Sequence, residues 1–315
     1  MHVRAVQTFK IAAMATTQPR ERPIADNHVH TEWSWDAPRG SMEASCARAV
    51  AMGLPTIAFT DHADFTPWEA AGQVSAPLGT RVIGAHLATG LLDVQGYWEC
   101  IDRCRARFPA LRILSGVELG EAHRFMQQAA SVLSPRPFDR VLGSLHCVPD
   151  GDALIDMSTP GLLTEATAER WARLYFQELL DLVKANAHAP ESDVASPVRF
   201  EVLAHLTYPQ RFWPLATQFA ETLFEDEIRE ILQVSATSDL ILEMNTTRGI
   251  DPARGMCPAP RVVRWWHEAG GQAVSFGSDA HTPELLAAGF PAAAEVAERA
   301  GFRPGRGPGD FWGRR

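Results

Sequence analysis

Two histidines one residue apart, His28 and His30, sit in Asp26-Asn27-His28-Val29-His30-Thr31 after a short apolar run. On a β-strand, residues i and i+2 point to one face, so the pair would aim two imidazoles at one point. Imidazole is a common metal ligand. Alone, such a pair reads equally well as two polar residues at a strand end. Its weight comes from similar residues further along. Asp36 follows closely, then Thr60-Asp61-His62, Gly116-Val117-Glu118, Ser144-Leu145-His146, Ala204-His205 and Ser278-Asp279-Ala280-His281. Imidazoles and carboxylates without a thiolate suit Zn, Mn or Fe rather than a soft metal. His28, His30, Asp36, His62, Glu118, His146, His205, Asp279 and His281 make nine candidate ligands. One four- to six-coordinate ion cannot use so many; two or three ions could, with a carboxylate such as Glu118 bridging two of them. Clustered metals activate water and clamp a phosphoryl group.

Residues so far apart need a scaffold that gathers them at one edge. Seven short apolar runs, at 24–28, 56–59, 111–117, 138–143, 198–203, 240–243 and 273–276, alternate with helical stretches. Helices are expected over 41–52, 92–108, 121–132, 164–187, 219–234 and 261–269. Another should start at Thr282-Pro283, a capping hydroxyl followed by proline at the first position. This alternation argues for a parallel sheet with crossover helices, in doubly wound or barrel form. Each of the seven runs ends, within a few residues, in a His, Asp or Glu. The carboxyl ends of parallel strands are where α/β proteins place their sites. Residues 63–90, with Pro67 and Pro77, are too long for a plain connection and are expected to form an active-site loop or lid. A Pro/Ser-rich link covers 189–197.

The chain has 315 residues, 46% hydrophobic, enough for a sizeable core, and no composition break marks a second domain. A net charge of −9 without a basic run argues against a stable nucleic-acid partner or an anionic membrane surface. No apolar run reaches membrane-spanning length. Five cysteines, an odd number with no C-x-x-C pair, indicate neither a disulfide framework nor a zinc ribbon. Reduced thiols and a cytoplasmic location are expected. Residues 1–22 read as a flexible extension, 23–302 as the folded domain and the Gly-, Pro- and Arg-rich 303–315 as a flexible tail.

Together, these segments resemble the polymerase-and-histidinol-phosphatase (PHP) family in order, residue type and spacing, over residues 24–285. The resemblance implies an α/β fold, a distorted seven-stranded (β/α) barrel of TIM-like form, with a trinuclear metal centre. It implies that His28, His30, Glu118 and Asp279 hold one metal. Glu118, His146 and His205 would hold a second; Asp36, His62 and His281 would hold a third. Asp36 in Trp33-Ser34-Trp35-Asp36, the segment Thr60-Asp61-His62-Ala63-Asp64-Phe65, and Glu243-Met244-Asn245-Thr246 resemble the stand-alone histidinol-phosphatase-like branch. The 63–90 insertion and Thr247-Arg248-Gly249 depart from it. The activity implied is hydrolysis of a small phosphate monoester by metal-activated water. Arg211 and Arg248, just past strand ends, could fork onto the phosphate. His281 or Asp61 could relay protons. The rivals are a phosphodiesterase or exonuclease acting on small nucleotides, and an idle metal-stabilised binding module. The complete set of nine candidates favours catalysis.

Overall fold

Seven strands run parallel, each hydrogen-bonded to the next in sequence. They are β1 (Asp26–Val29), β2 (Thr56–Ala63), β3 (Arg112–Gly120), β4 (Arg140–Ser144), β5 (Val202–Leu203), β6 (Ile241–Asn245) and β7 (Ala273–Gly277). The protein is seen here as a computed structural model that describes residues 24–69, 81–83, 86–189, 198–247 and 249–315. The expected extension at 1–22, all but the first residue of the link at 189–197, part of the 63–90 insertion and Arg248 lie outside the described residues.

The sheet curls until its ends meet. Val29 bridges Ala280 in parallel, His30 N donates to Ala280 O at 2.9 Å, and Asp279 N donates to His28 O at 2.8 Å. Asp26, fully buried, accepts from Ser278 N at 3.0 Å and Ser278 Oγ at 2.6 Å. The α/β, barrel-like architecture is thus the one the alternation and the resemblance implied. All eight residues of β2 are buried, the continuous pattern of a parallel strand covered on both faces. The apolar run there stops at Phe59, but the ladder with β3 continues residue by residue from Thr56↔Arg112 to Ala63↔Leu119. The polar residues beyond the run are therefore part of the strand, and His62 faces Glu118 across it.

Helices α1 (Met42–Met52), α2 (Val94–Arg107), α3 (Met126–Leu133), α4 (Ala168–His188), α5 (Glu225–Thr237), α6 (Pro260–Glu268) and α7 (Phe290–Ala300) complete the layers. The Ser41 side chain accepts from Ala44 N to start α1, and Gly53, at φ 71°, ends it. In α4, Trp171, Tyr175, Leu179 and Leu182 recur every three or four residues and are buried in the main hydrophobic cluster. No helix among the described residues is long and apolar enough to cross a membrane. The five cysteines are free and buried.

Several expectations are corrected. The helix expected from 121 starts at Met126, because Glu121 takes a left-handed φ of 45° while its carboxylate accepts from His146 N at 2.6 Å and Cys147 N at 3.0 Å. The helix expected from 219 starts at Glu225, after a short 3-10 turn at Glu221–Phe224. Thr282-Pro283 opens only the 3-10 turn Pro283–Leu285, with no cap bond from Thr282; α7 follows Gly289. Within the insertion read as a loop, Pro67–Glu69, His86–Ala88 and Arg81–Ile83 form a small antiparallel sheet. A hairpin, Cys147–Asp150 with Ala153–Asp156, was not anticipated.

The tail expected to be flexible is built into the sheet. Strands β8 (Phe302–Arg303) and β9 (Trp312–Arg314) pair with each other, and β9 pairs antiparallel with β7. Glycine and proline dominate this stretch, but its two aromatics anchor it. Trp312 is buried with its ring 4.8 Å from that of Phe276. The Arg140 guanidinium lies 4.4 Å from the Phe311 ring and donates to Gly309 O at 2.8 Å. Trp312→Ala should therefore cost about 3–5 kcal/mol of stability, the usual range for deleting a buried large aromatic. Urea unfolding measures this, and a loss under about 1 kcal/mol would show that the segment is only laid on the surface.

Candidate metal centre

The strand ends converge as their residue types suggested. β1 brings His28 and, one residue beyond it, His30; β2 brings His62 and β3 brings Glu118. His146, His205, Asp279 and His281 follow the ends of β4, β5 and β7 by two to four residues. Glu118 lies at the middle, fully buried. Its Oε2 is 3.0 Å from His28 Nε2, 3.3 Å from His30 Nε2 and 3.3 Å from His62 Nδ1. Its Oε1 is 2.8 Å from His205 Nε2 and 3.4 Å from His146 Nε2. Burial alone would raise the Glu118 carboxyl, but the His28 and His62 imidazoles overcome it and hold it well below the usual range. Asp36 Oδ2 lies 2.8 Å from His281 Nε2, and Asp279 Oδ1 lies 3.4 Å from His30 Nε2.

Hydrogen bonds on the far side of each ring set the tautomers. His28 Nδ1 meets Glu243 Oε1 at 2.6 Å, so it carries the proton. Ser34 Oγ gives its only hydrogen to Asp61 Oδ1 at 2.8 Å, and so accepts from His30 Nδ1 at 2.9 Å. His281 Nδ1 donates to Asp279 O at 3.0 Å. All three rings then turn an Nε2 lone pair inward. His28 Nε2 and His30 Nε2 end up 3.0 Å apart, a contact that a shared proton or a cation between them satisfies. Bonds of about 2.1 Å to one ion place two donors about 3.0 Å apart at a right angle and about 3.4 Å apart at a tetrahedral angle. The spacing of these donors matches such edges, so the nitrogen and oxygen atoms present fit a divalent metal cluster.

Four sets of ligand atoms each lie within 4.8 Å of one another: His28, His30 and Asp279; Glu118, His146 and His205; His30, Asp36, His62 and His281; and His62, Asp64 and His146. The second coincides with an expected set; the first lacks the expected Glu118, and the third adds His30 to the expected Asp36, His62 and His281. The fourth adds Asp64, to which sequence reasoning gave no role although it lies two residues past His62. Its Oδ1, Asp36 Oδ1 and His62 Nδ1 are buried without a hydrogen-bond partner, as ligand atoms facing a metal would be. Against the pull of burial, Asp64, Asp36 and Glu118 raise His62 to about 10, so the carboxylates demand positive charge here.

Supporting residues hold this arrangement. Glu243 Oε2 accepts from His205 N at 2.7 Å and from Asn245 Nδ2 at 3.1 Å, so one carboxylate orients two candidate ligands. A Cβ on Gly277 would fall 2.1 Å from Glu243 Oε1, so only glycine leaves room for that contact. His205 and Asp279 take left-handed φ values of 25° and 54°, backbone strain of the sort that collects at functional sites.

The two residues expected to relay protons are both engaged in hydrogen bonds. Asp61 is fully buried and absent from the cavity wall; it accepts from Thr31 N at 2.6 Å, Thr31 Oγ1 at 2.8 Å and Ser34 Oγ, and so braces the loop behind His30. Both ring nitrogens of His281 are engaged, with Asp279 O and Asp36. Arg211 does reach the site. Its Nη2 lies 2.7 Å from Asp279 Oδ2, and its guanidinium is 5.1 Å from the Tyr208 ring.

A cavity of about 360 Å³ opens over the cluster, walled by Trp35, Thr66, Asp156, Tyr208, Arg211 and Phe212 among others. A roomier one, about 530 Å³, lies near the amino ends of β4 and β6 beside Asp139, Glu201 and Leu240, but holds none of the candidate residues. Size therefore does not decide between them; chemistry does.

A PHP domain profile matches residues 26–247, more than half of the chain. The chain is 26% identical over 284 residues to a histidinol-phosphatase of Lactococcus lactis, covering 88% of this chain and 91% of that one. It is 22% identical over 285 residues to a probable histidinol-phosphatase of Clostridium acetobutylicum, covering 89% and 95%. The fold is similar to the crystal structure of histidinol phosphate phosphatase from Lactococcus lactis complexed with zinc, L-histidinol and phosphate: TM-score 0.69, 24% identity, 88% and 94% covered. A putative histidinol phosphatase from Listeria monocytogenes gives a TM-score of 0.65 at 16% identity, with 85% and 99% covered. Those structural likenesses establish the fold. With the profile running from β1 past β6, the chain belongs to the PHP domain family.

Proposed function

We propose that the protein is a metal-dependent phosphomonoesterase that hydrolyses a small monoester of the histidinol-phosphate kind. One observation carries the reading: six imidazoles with Asp36, Glu118 and Asp279 gather at the strand ends beneath a cavity whose wall holds Arg211. In this reading His28, His30, Glu118 and Asp279 hold one ion, Glu118, His146 and His205 a second, and Asp36, His62 and His281 a third. Asp64 stands ready to join His62 and His146. When bound, two or three ions of Zn, Mn or Fe supply the Lewis acidity that activates water and offsets charge on phosphoryl oxygens.

The chain's own residues do the rest. Glu243 and Ser34 fix the rings of His28 and His30 in the tautomer that faces inward. Asp279 gives Oδ1 to the imidazole side and Oδ2 to Arg211, so the guanidinium is aimed before substrate arrives. A phosphate dianion then finds a fixed positive group beside the cluster. Tyr208 and Phe212 narrow the cavity and reduce the water around that charge. The likeness to histidinol-phosphatases along nearly the whole chain supports the substrate class.

Protein purified without chelator should carry more than one equivalent of Zn, Mn or Fe by elemental analysis, and its removal should abolish phosphate release. A metal-free protein that no added ion activates would sink this reading. Glu118→Gln should lower kcat/KM at least about tenfold further than Asp36→Asn, because Glu118 meets five imidazoles and Asp36 meets two. Equal, mild losses in folded variants would contradict the bridging role. Arg211→Ala should cut turnover of an aryl monoester about ten- to a hundredfold more than that of the matched diester, which lacks the second charge. Metal content is measured alongside, since Arg211 also holds Asp279. A wild type that prefers the diester would favour the phosphodiesterase alternative.

A further inference from the structure

Away from the metal centre, three of the five thiols share one place in the fold. Cys46 on α1 and Cys100 and Cys104 on α2 are buried in one hydrophobic cluster with Met42, Tyr97 and Ile101. Cys100 and Cys104, four residues apart, lie on one face of α2. The Cys46 and Cys104 thiols hydrogen-bond to each other across the helix pair, and Cys104 also meets Cys100. Cys46 is wholly enclosed, whereas Cys104 keeps 3% of its surface open to solvent. The pair sits behind the loop that carries Ser34 and Asp36. Glu32 Oε2 of that loop accepts from Met42 N at 2.6 Å to start α1, and a Cβ on Gly96 of α2 would fall 2.5 Å from the Trp33 ring.

A hydrogen bond between two thiols makes one the donor and leaves the other better able to carry charge. The bond from Cys46 lowers the Cys104 thiol, against burial and the Glu32 and Glu43 carboxylates, while Cys46 itself is raised. Burial raises Cys147 and Cys257. We propose that Cys104 and Cys46 form a reversible disulfide when the protein meets a peroxide, Cys104 attacking and Cys46 resolving. This stands apart from the phosphomonoesterase reading. The Cys104 thiolate attacks one peroxide oxygen; an S–O bond forms, the O–O bond breaks, and the departing hydroxide takes the Cys104 proton to become water. Cys46 sulfur then attacks the sulfenic sulfur; the S–S bond forms, the S–O bond breaks, and the second hydroxide leaves as water with the Cys46 proton. Two thiols give up two electrons and two protons, and the peroxide becomes two waters. Cys100 cannot take Cys46's part while α2 stays wound: Cβ atoms four residues apart on a helix are about 5–6 Å apart, and a disulfide needs about 3.8 Å.

The test treats the full chain with a small excess of hydrogen peroxide, then blocks the remaining thiols with iodoacetamide and maps the peptides by mass spectrometry. The chain is kept in zinc, which has no redox chemistry of its own, so only the protein reduces the peroxide. The Cys46 and Cys104 peptides should come out joined, with Cys100, Cys147 and Cys257 alkylated, and dithiothreitol should restore all five free thiols. Cys104 should be consumed at least about tenfold faster than Cys147 or Cys257. Cys46→Ser should stop Cys104 at the sulfenic acid, which dimedone traps, and Cys104→Ser should leave Cys46 reduced. A bridge that uses Cys100, a Cys104 that reacts no faster than Cys257, or oxidation of Cys104 to sulfinic acid in wild type with no joined peptides each overturns the proposal, as does a chain that peroxide leaves unchanged. Should the variants not fold, the wild-type peptide map and the relative rates decide alone.

Discussion

Glu118 holds a negative charge where water does not reach. An unpaired ion in such a place would cost several kcal/mol or more, so the structure around it must deliver positive charge or polarised N–H groups from every side. Five imidazoles surround it, drawn from four different strand ends, and cations held by their inward nitrogens would meet that demand. Each ring must then be aimed, and the aiming groups form a further layer. Glu243 orients His28 and the backbone of His205; Asp61, through Ser34, orients His30. Those groups also have to fit, which is why Gly277 bears no side chain.

This demand runs outward into the fold. A one-residue shift between β2 and β3 would separate His62 from Glu118 and turn one of them to the other face. Burial of both faces of β2, and the ladder carried through its polar end, protect that register. On the other side of the barrel, β9 lies along β7, the strand that leads into Asp279 and His281. Trp312 packs on Phe276 three residues before Asp279. Packing far from the chemistry thus helps to steady two of its candidate ligands.

Much of this was legible in the sequence because metal ligands are few in type and strand ends are marked by apolar runs. His28, His30, His62, Glu118, His146, His205 and Asp279 could be found that way. What stayed hidden depends on where a second polar atom points. Asp61 and Asp64 lie within two residues of His62, yet one braces a loop and the other faces two imidazoles. Glu243 was visible as a strand-end acid, but its role in aiming His28 needs a partner 215 residues away. The hairpin at 147–156 did leave a signal, Asp150-Gly151 between two short apolar stretches, with Gly151 at φ 65°. Helix starts were missed where the backbone takes a left-handed turn first, as at Glu121 and Gly289. The tail misled because composition was read over its two aromatic anchors.

The bonds from Ser278 to Asp26 span 252 residues. A protein made from its amino end exposes His28 and His30 to the cell long before Asp279 and His281 exist. Joining such distant segments carries a large loop-closure entropy and tends to come late in folding. Half-built, the centre would offer imidazoles and Glu118 with no second wall, an open trap for whichever metal is most abundant and most strongly bound. Closure of β1 onto the end of β7 is therefore also a moment of metal choice. The completed cage fixes the number and spacing of donors, and an ion taken up earlier would have to satisfy that geometry or be released.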